Sequence, residues 1–213
     1  VPLTPDVTDT ASPPPRELPL FPLQSVLFPG GLLNLTVFEA RYLDLVSDCL
    51  RTGHRFGVVC LRQGSEVHKA GTPTRFEAIG VTAELTEVDS DQPNVLRVKC
   101  VGRQRFRITH SQQQADGLWN AEVELLAEDP KLAPAEAAIP TVRALANAIA
   151  TLKQQGSEPF LPPYSFDDAG WVANRWCELL PISLAAKQKL MELEQPQVRL
   201  QLVDEFLRSK GVI

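Results

Sequence analysis

From Leu18 to about Leu126 apolar and polar residues alternate, the period of strands that bury one face. In LLNLTV, Leu33, Leu35 and Val37 alternate with Asn34 and Thr36. In AIGVTAELTEV, Ile79, Val81, Ala83 and Leu85 share a face, and NVLRVKCV sets Leu96, Val98 and Cys100 opposite Arg97 and Lys99. RFGVVCL and LWNAEVELL supply two further strands. EARYLDLVSDCLRTG interrupts this alternation: Tyr42, Val46, Cys49 and Leu50 fall on one side of a helix, and Gly53 offers a left-handed stop. The prolines and glycines of PLFPLQSVLFPGG restrict that stretch to extended pieces and turns, with Phe28-Pro29-Gly30 the sharpest turn. Many short strands around one helix favour a small, partly closed barrel over a parallel, doubly wound sheet.

Beyond AEDPKLAP the period becomes that of a helix. Ile139, Val142, Leu145, Ala146, Ile149 and Leu152 recur three and four apart until Gly156. The loop SEPFLPPYSF leads to DDAGWVANRWCELL, where Val172, Trp176, Leu179 and Leu180 form a second stripe that Pro181 ends. Ser183 is placed to cap LAAKQKLMEL, and Pro196 suits the first turn of QVRLQLVDEFLRSKG. Each stripe needs a partner, so these helices are expected to pack as a bundle, with one another and against the sheet. The chain therefore reads as α+β in three parts: a Pro-rich arm over 1–17, a β-rich part over 18–129 with one helix, and a helical bundle over 130–213.

Composition narrows the functional classes. The arm, with Pro13, Pro14 and Pro15 and few large apolar residues, cannot bury enough surface to fold alone. No apolar run in the 213 residues approaches the roughly 20 that a bilayer needs. The first residues also lack the basic and apolar regions of a signal peptide, so the expected location is the cytoplasm, without a membrane partner. Cys49, Cys60, Cys100 and Cys177 form no C-x-x-C and read as buried free thiols. A formal charge of −5 repels phosphate backbones as a whole, so nucleic-acid binding needs a local basic patch.

LPLFPLQSVLFPGGLLNLTVFEARYLDLVSDCL, FGVVCL, AIGVTAEL and VGRQRFRI, in that order, together with ELLPISLAAKQKLMELEQPQVRLQLVDEFL, resemble the Lon N-terminal domain family. This is the substrate-binding module at the front of the ATP-dependent protease Lon, also related to modules in cereblon and in stand-alone bacterial proteins. The likeness covers nearly all of the chain after the arm. It implies a PUA-like β pseudo-barrel followed by helices, used to bind proteins or peptides, in a form without the ATPase and protease domains.

The residues agree with a non-enzymatic reading. A phosphate loop needs G-x-x-x-x-G-K-[ST], and this sequence has no Gly-Lys step. Ser65 with Lys69 and Ser183 with Lys187 have helical spacing, but surface Ser and Lys share helix turns too often for that to signal a nucleophile. His54, His68 and His110 lack ligand spacing, so neither metal nor cofactor is expected. Glu128-Asp129 and Asp167-Asp168 each precede a predicted helix, where carboxylates complement the dipole. Asp44 and Asp48 lie on a solvated helix face. Glu39, Arg41 and Tyr42 are expected to fix the first helix against the barrel, Arg41 reaching a carbonyl or carboxylate of the sheet.

Two binding surfaces remain. GRQRFRI places Arg103, Arg105 and Arg107 on one strand face, a candidate RNA-binding row that Arg97 and Lys99 on the preceding strand would widen. Glu84, Glu87, Glu122 and Glu124 can neutralise it across strands. The preferred site is the crevice between sheet and bundle, where Phe160, Leu161 and Tyr164 offer aromatic and apolar surface to an unfolded polypeptide or a specific partner protein. A small molecule in the same crevice is the further alternative. The sequence leaves the oligomeric state open.

Overall fold

A computed structural model describes residues 16–66 and 73–213; the arm up to residue 15, His68 and Lys69 lie outside them. The chain runs β1 (Arg16–Leu23), β2 (Leu32–Val37), α1 (Ala40–Thr52), β3 (Phe56–Gln63), β4 (Arg75–Phe76), β5 (Ile79–Gln92), β6 (Val95–Gln113) and β7 (Trp119–Leu125). A short 3-10 turn and α2 (Ile139–Gln154), α3 (Ala169–Leu179), α4 (Leu184–Glu192) and α5 (Pro196–Ser209) follow. The α+β reading holds: strands with one helix come first, and helices close the chain.

The strands form one curled sheet in the order β1-β7-β6-β5-β3-β4, with β2 beside β6 and β1 also pairing β3 in parallel. That second pairing of β1 turns the sheet back on itself as a pseudo-barrel. Pro19 lies in the half of β1 paired with β7, and Pro22 in the half paired with β3. Each proline thus meets a partner on one side alone, where a missing N–H is tolerated. Arg16 and Glu17, assigned to the arm on sequence, already belong to β1.

NVLRVKCV and GRQRFRI are not successive strands but one 19-residue strand, β6, which pairs with β2, β5 and β7 along its length. Phe28-Pro29-Gly30-Gly31 is a type II turn: Gly31 N–H donates to Phe28 O at 2.9 Å, with Pro29 second and Gly30 third at φ +74°. The turn is stitched to β6 because Gly30 N–H donates to Gly102 O and Gly102 N–H to Gly31 O, both at 2.8 Å. A side chain at position 102 would begin 2.3 Å from Phe28 O, so the approach requires glycine.

Helix α1 stops at Gly53 (φ 72°), as its sequence predicts. Its buried stripe is Arg41, Tyr42, Leu45, Val46 and Cys49, whereas Leu50 is 58% exposed. The expectation for Leu50 fails because the core-facing arc centres on Leu45 and Cys49, leaving Leu50 one residue beyond its edge. Ser183 caps α4 by accepting Ala186 N–H at 3.1 Å, Asp168 caps α3 by accepting Gly170 N–H at 3.0 Å, and Pro196 opens α5. One apolar core joins the two parts, running from Phe21, Phe28, Val58 and Val98 in the sheet region to Leu145, Val172, Leu200 and Leu207 in the helices. A smaller cluster, built on Leu20, Val59 and Phe106, covers another part of the sheet.

Candidate functional site

Where the helices meet the sheet, a crevice of ≈ 620 Å³ opens. The Pro29-Gly30 turn, Gly102 to Arg105 of β6, Asp129 and the start of α3 with Trp171 all line it. The bulge in β6 shapes this wall. Val81 pairs with Arg105 but Ala83 with Gly102, so Arg103 and Gln104 together oppose Thr82. The Thr82 hydroxyl fills the gap, donating to Gln104 O at 3.2 Å and accepting Gln104 N–H at 3.1 Å. An extra residue reverses the alternation of side chains.

That reversal breaks the predicted arginine row. Arg103 and Arg107 are exposed, but Arg105 points inward and is 3% exposed. Arg105 donates to Asp129 Oδ1 at 2.6 Å and Leu193 O at 2.6 Å; Arg199 donates to Asp129 Oδ2 at 2.6 Å, Asn174 Oδ1 at 2.9 Å and Leu190 O at 2.9 Å. The carbonyls of Leu190 and Leu193 lie at the end of α4, where helix carbonyls run short of intrahelical donors, although Leu190 O also accepts Leu193 N–H at 3.3 Å. Asp129 is therefore not a charge before a helix but the acceptor that ties β6, α4 and α5 together. Its partners are 24 and 70 residues away, beyond the reach of a local pattern. Arg97 and Lys99 sit on the same strand as the row rather than beside it, and pair with Asp89 and Glu87 at 3.0 and 2.6 Å.

On the helix side Trp171 meets Phe160, Tyr164 and Phe166 at centroid distances of 6.4, 5.8 and 5.3 Å. Phe160 is buried, under Arg175 at 5.6 Å from its ring centre; Leu161 is 40% exposed; Tyr164 is half-buried with Lys153 Nζ 4.7 Å from its ring centre. None of the three lines the crevice. Trp171, which the sequence reading passed over, does so and joins the crevice to their cluster. It lies one residue from Val172 and so off the stripe that defines α3 as a helix; its place in the first turn after a cap was the available signal.

Arg175 holds the opposite wall. It donates to Gly30 O at 2.5 Å and Pro29 O at 2.8 Å, and pairs with Glu178 at 3.0 Å. Burial pushes the Glu178 carboxyl from its ordinary 4.5 up to about 7, against the opposing pull of Arg175 and Lys187. Arg41 plays a comparable part on α1: it donates to Gly117 O at 2.6 Å, pairs with Glu39 at 3.1 Å and covers the Tyr42 ring, itself stacked on Phe21 at 3.9 Å.

Ser183, Lys187 and the cysteines are occupied or sealed, while Lys69, the partner of Ser65, lies outside the described residues. Ser183 is a cap, and Lys187 Nζ donates to Glu178 O at 2.9 Å. All four cysteines are free and buried, and burial pushes the thiols up, to about 11 for Cys49 and about 12 for Cys100 and Cys177. Among the described residues no group of three or more His, Cys, Asp or Glu is placed to hold a metal ion, and no helix is long and apolar enough to cross a membrane.

A crevice lined by polar and charged side chains and the Trp171 indole, between a curled sheet and a layer of helices, is the layout of a binding domain. The chain belongs to the family described as the ATP-dependent protease La (LON) substrate-binding domain, whose model matches residues 17–209. A Lon N-terminal domain protein from Xanthomonas campestris superposes with a TM-score of 0.70 at 31% identity, covering 88% of this chain and 96% of that one. The N-terminal domain of a Mycobacterium avium complex Lon protease shares the fold at 14% identity, TM-score 0.60, over 89% and 97% of the two chains. Lon protease from Anaeromyxobacter dehalogenans is 26% identical over 93% of this chain and 24% of its own length. Protein cereblon from Danio rerio is 31% identical over 53% of this chain and 26% of its own. The chain thus spans about a quarter of the length of these curated relatives.

Proposed function

We propose that the chain is a non-enzymatic recognition module that binds polypeptide, either an unfolded segment or a partner protein, in the crevice between sheet and helices. The observation that carries this reading is the crevice itself, of ≈ 620 Å³, in a chain of a substrate-binding family. Its volume falls within the roughly 300–1,000 Å³ of ordinary ligand sites. Trp171 is the anchor, with Tyr164 and Leu161 extending the apolar surface outward. Rigid aromatic side chains give contact area at low entropic cost. Free buried thiols suit a reducing compartment, and the cytoplasm is the proposed location.

The RNA reading draws less support. Arg105 is buried against Asp129, and Arg97, Lys99 and Arg103 each face a carboxylate. The test is a titration of a fluorescent unfolded peptide and of a short RNA at two salt concentrations. Peptide binding that changes little with salt and weakens in Trp171→Ala and Tyr164→Ala supports the proposal. RNA binding that falls steeply with salt refutes it, because phosphate contacts release counterions. Purified protein is expected neither to hydrolyse ATP nor to cleave casein.

A further inference from the structure

Arg55, between α1 and β3, and Arg103, at the bulge, converge on one carboxylate at the crevice wall. Arg103 grips Glu84 side-on, Nε to Oε2 at 3.1 Å and Nη2 to Oε1 at 2.9 Å. Arg55 reaches the same Oε2 through Nε at 3.0 Å and Nη2 at 2.7 Å. Two guanidinium groups share one anion, leaving one positive charge in excess. Their side chains are 45% and 43% exposed, and Nη1 of each has no protein partner among the described residues. Glu84 stays ionised, since Arg103 and then Arg55 hold its carboxyl below the usual carboxylate range.

Two of the other acids lining the crevice are already engaged. Asp129 is enclosed by Arg105 and Arg199, and Asp168 accepts Gly170 N–H at the start of α3. Glu128 alone is exposed and has no partner among the described residues. The sheet side of the crevice therefore presents a cationic pair, and Trp171 presents an indole within the same ≈ 620 Å³.

We propose that this crevice takes the free C-terminal carboxylate of a polypeptide, seated against Arg55 and Arg103, with the last apolar side chain laid along Trp171. The inference rests on the polypeptide-binding reading above and names the feature recognised. A second carboxylate completes an alternating arrangement of two guanidinium and two carboxylate groups, and it neutralises the charge in excess on Arg55, Arg103 and Glu84 taken together. The planar fork of arginine matches carboxylate geometry, and such charge-assisted bonds are the stronger ones. A chain end suits the site better than an internal acid. Its α-carboxylate and its apolar side chain branch from one Cα, so a single residue supplies both groups, and only one length of chain has to leave the crevice.

The experiment uses fluorescent peptides of about ten residues ending in leucine, with a free carboxylate or an amide, plus an amidated peptide carrying an internal glutamate. Each is titrated against the full chain and against Arg55→Gln, Arg103→Gln, Glu84→Gln and Trp171→Ala, with circular dichroism confirming the fold. The free-acid peptide is expected to bind roughly tenfold more tightly than its amide, as a hydrogen bond to a charged group implies. That preference should shrink toward unity in both arginine variants. Glu84→Gln, which releases both guanidinium groups, should raise it several-fold. Equal binding of acid and amide, with affinity still lost in Trp171→Ala, overturns the carboxylate assignment and leaves polypeptide binding standing. Equal binding of the free-acid and internal-glutamate peptides overturns the chain-end assignment. Failure of every peptide to bind overturns the underlying reading and this inference with it.

Discussion

Arg105, Arg199 and Asp129 form inside the molecule the same two-to-one grouping that Arg55, Arg103 and Glu84 form at the crevice mouth. The inner arginine side chains are 2% and 1% exposed and the outer ones 45% and 43%. Inside, main-chain carbonyls of α4 and the segment after β7 take up further N–H groups, and the cluster is closed. Outside, the arginine side chains remain nearly half exposed, which is where the proposed carboxylate would bind. Burial separates an assembly that ties sheet to helices from one that stays exposed and is proposed for recognition. A sequence pattern counts arginines but carries no record of which side of that divide each one occupies.

The largest expected effect tests the inner grouping. Asp129→Asn leaves two buried guanidinium groups without an anion and should cost about 3–5 kcal/mol, read from urea unfolding. A loss below about 1 kcal/mol would mean that the carbonyls alone hold the arginines, and the contrast would collapse.

Next comes the half-buried carboxyl of Glu178, whose folded value of about 7 exceeds its ordinary 4.5. Between those values the folded state binds more protons than the unfolded one. Stability should therefore fall as pH rises from about 4.5 to about 7 and level off above, by on the order of 2 kcal/mol. Glu178→Gln should lack that slope, so the difference between its stability–pH curve and that of the native chain should carry it. A difference curve flat across this range would place Glu178 with the solvated outer acids.

Trp171→Ala should weaken peptide capture by about 1–2 kcal/mol, measured by fluorescence titration, while the fold is retained. Smallest of all, Arg103→Gln should change unfolding free energy by less than about 0.5 kcal/mol, because an exposed pair gains little from its attraction. A loss comparable to that of Asp129→Asn would show that both groupings serve structure alone.

Much of the fold was legible because its signals are local. The Gly53 stop, the Ser183 cap, the Pro196 start and the Phe28-Pro29-Gly30 turn depend on neighbours within a few residues, and all lie where the pattern puts them. The stripes of α2 and α3 face the core through Leu145, Ile149, Val172 and Trp176. The candidate crevice was legible in part. Its location between sheet and helices follows from two amphipathic halves that must meet, but its wall does not. Strict alternation predicted three aligned arginines, and one bulged residue, accommodated by the hydroxyl of Thr82, turned Arg105 inward. Phe160 offers aromatic surface on sequence but is spent on the core, whereas half-buried Trp171 beside Val172 lines the crevice.

The grip of Arg175 on Pro29 and Gly30 spans 146 and 145 residues of chain. A ribosome adding about 5–20 residues per second needs roughly 7–30 s between releasing the turn and releasing the arginine that secures it. During that interval the β-strands can pair, but one wall of the crevice is unanchored and the sheet's core residues that α3 will pack against have no cover. If the crevice binds polypeptide as proposed, a nascent chain stalled before α3 carries most of the sheet without the arginine that secures the wall against which a guest would lie.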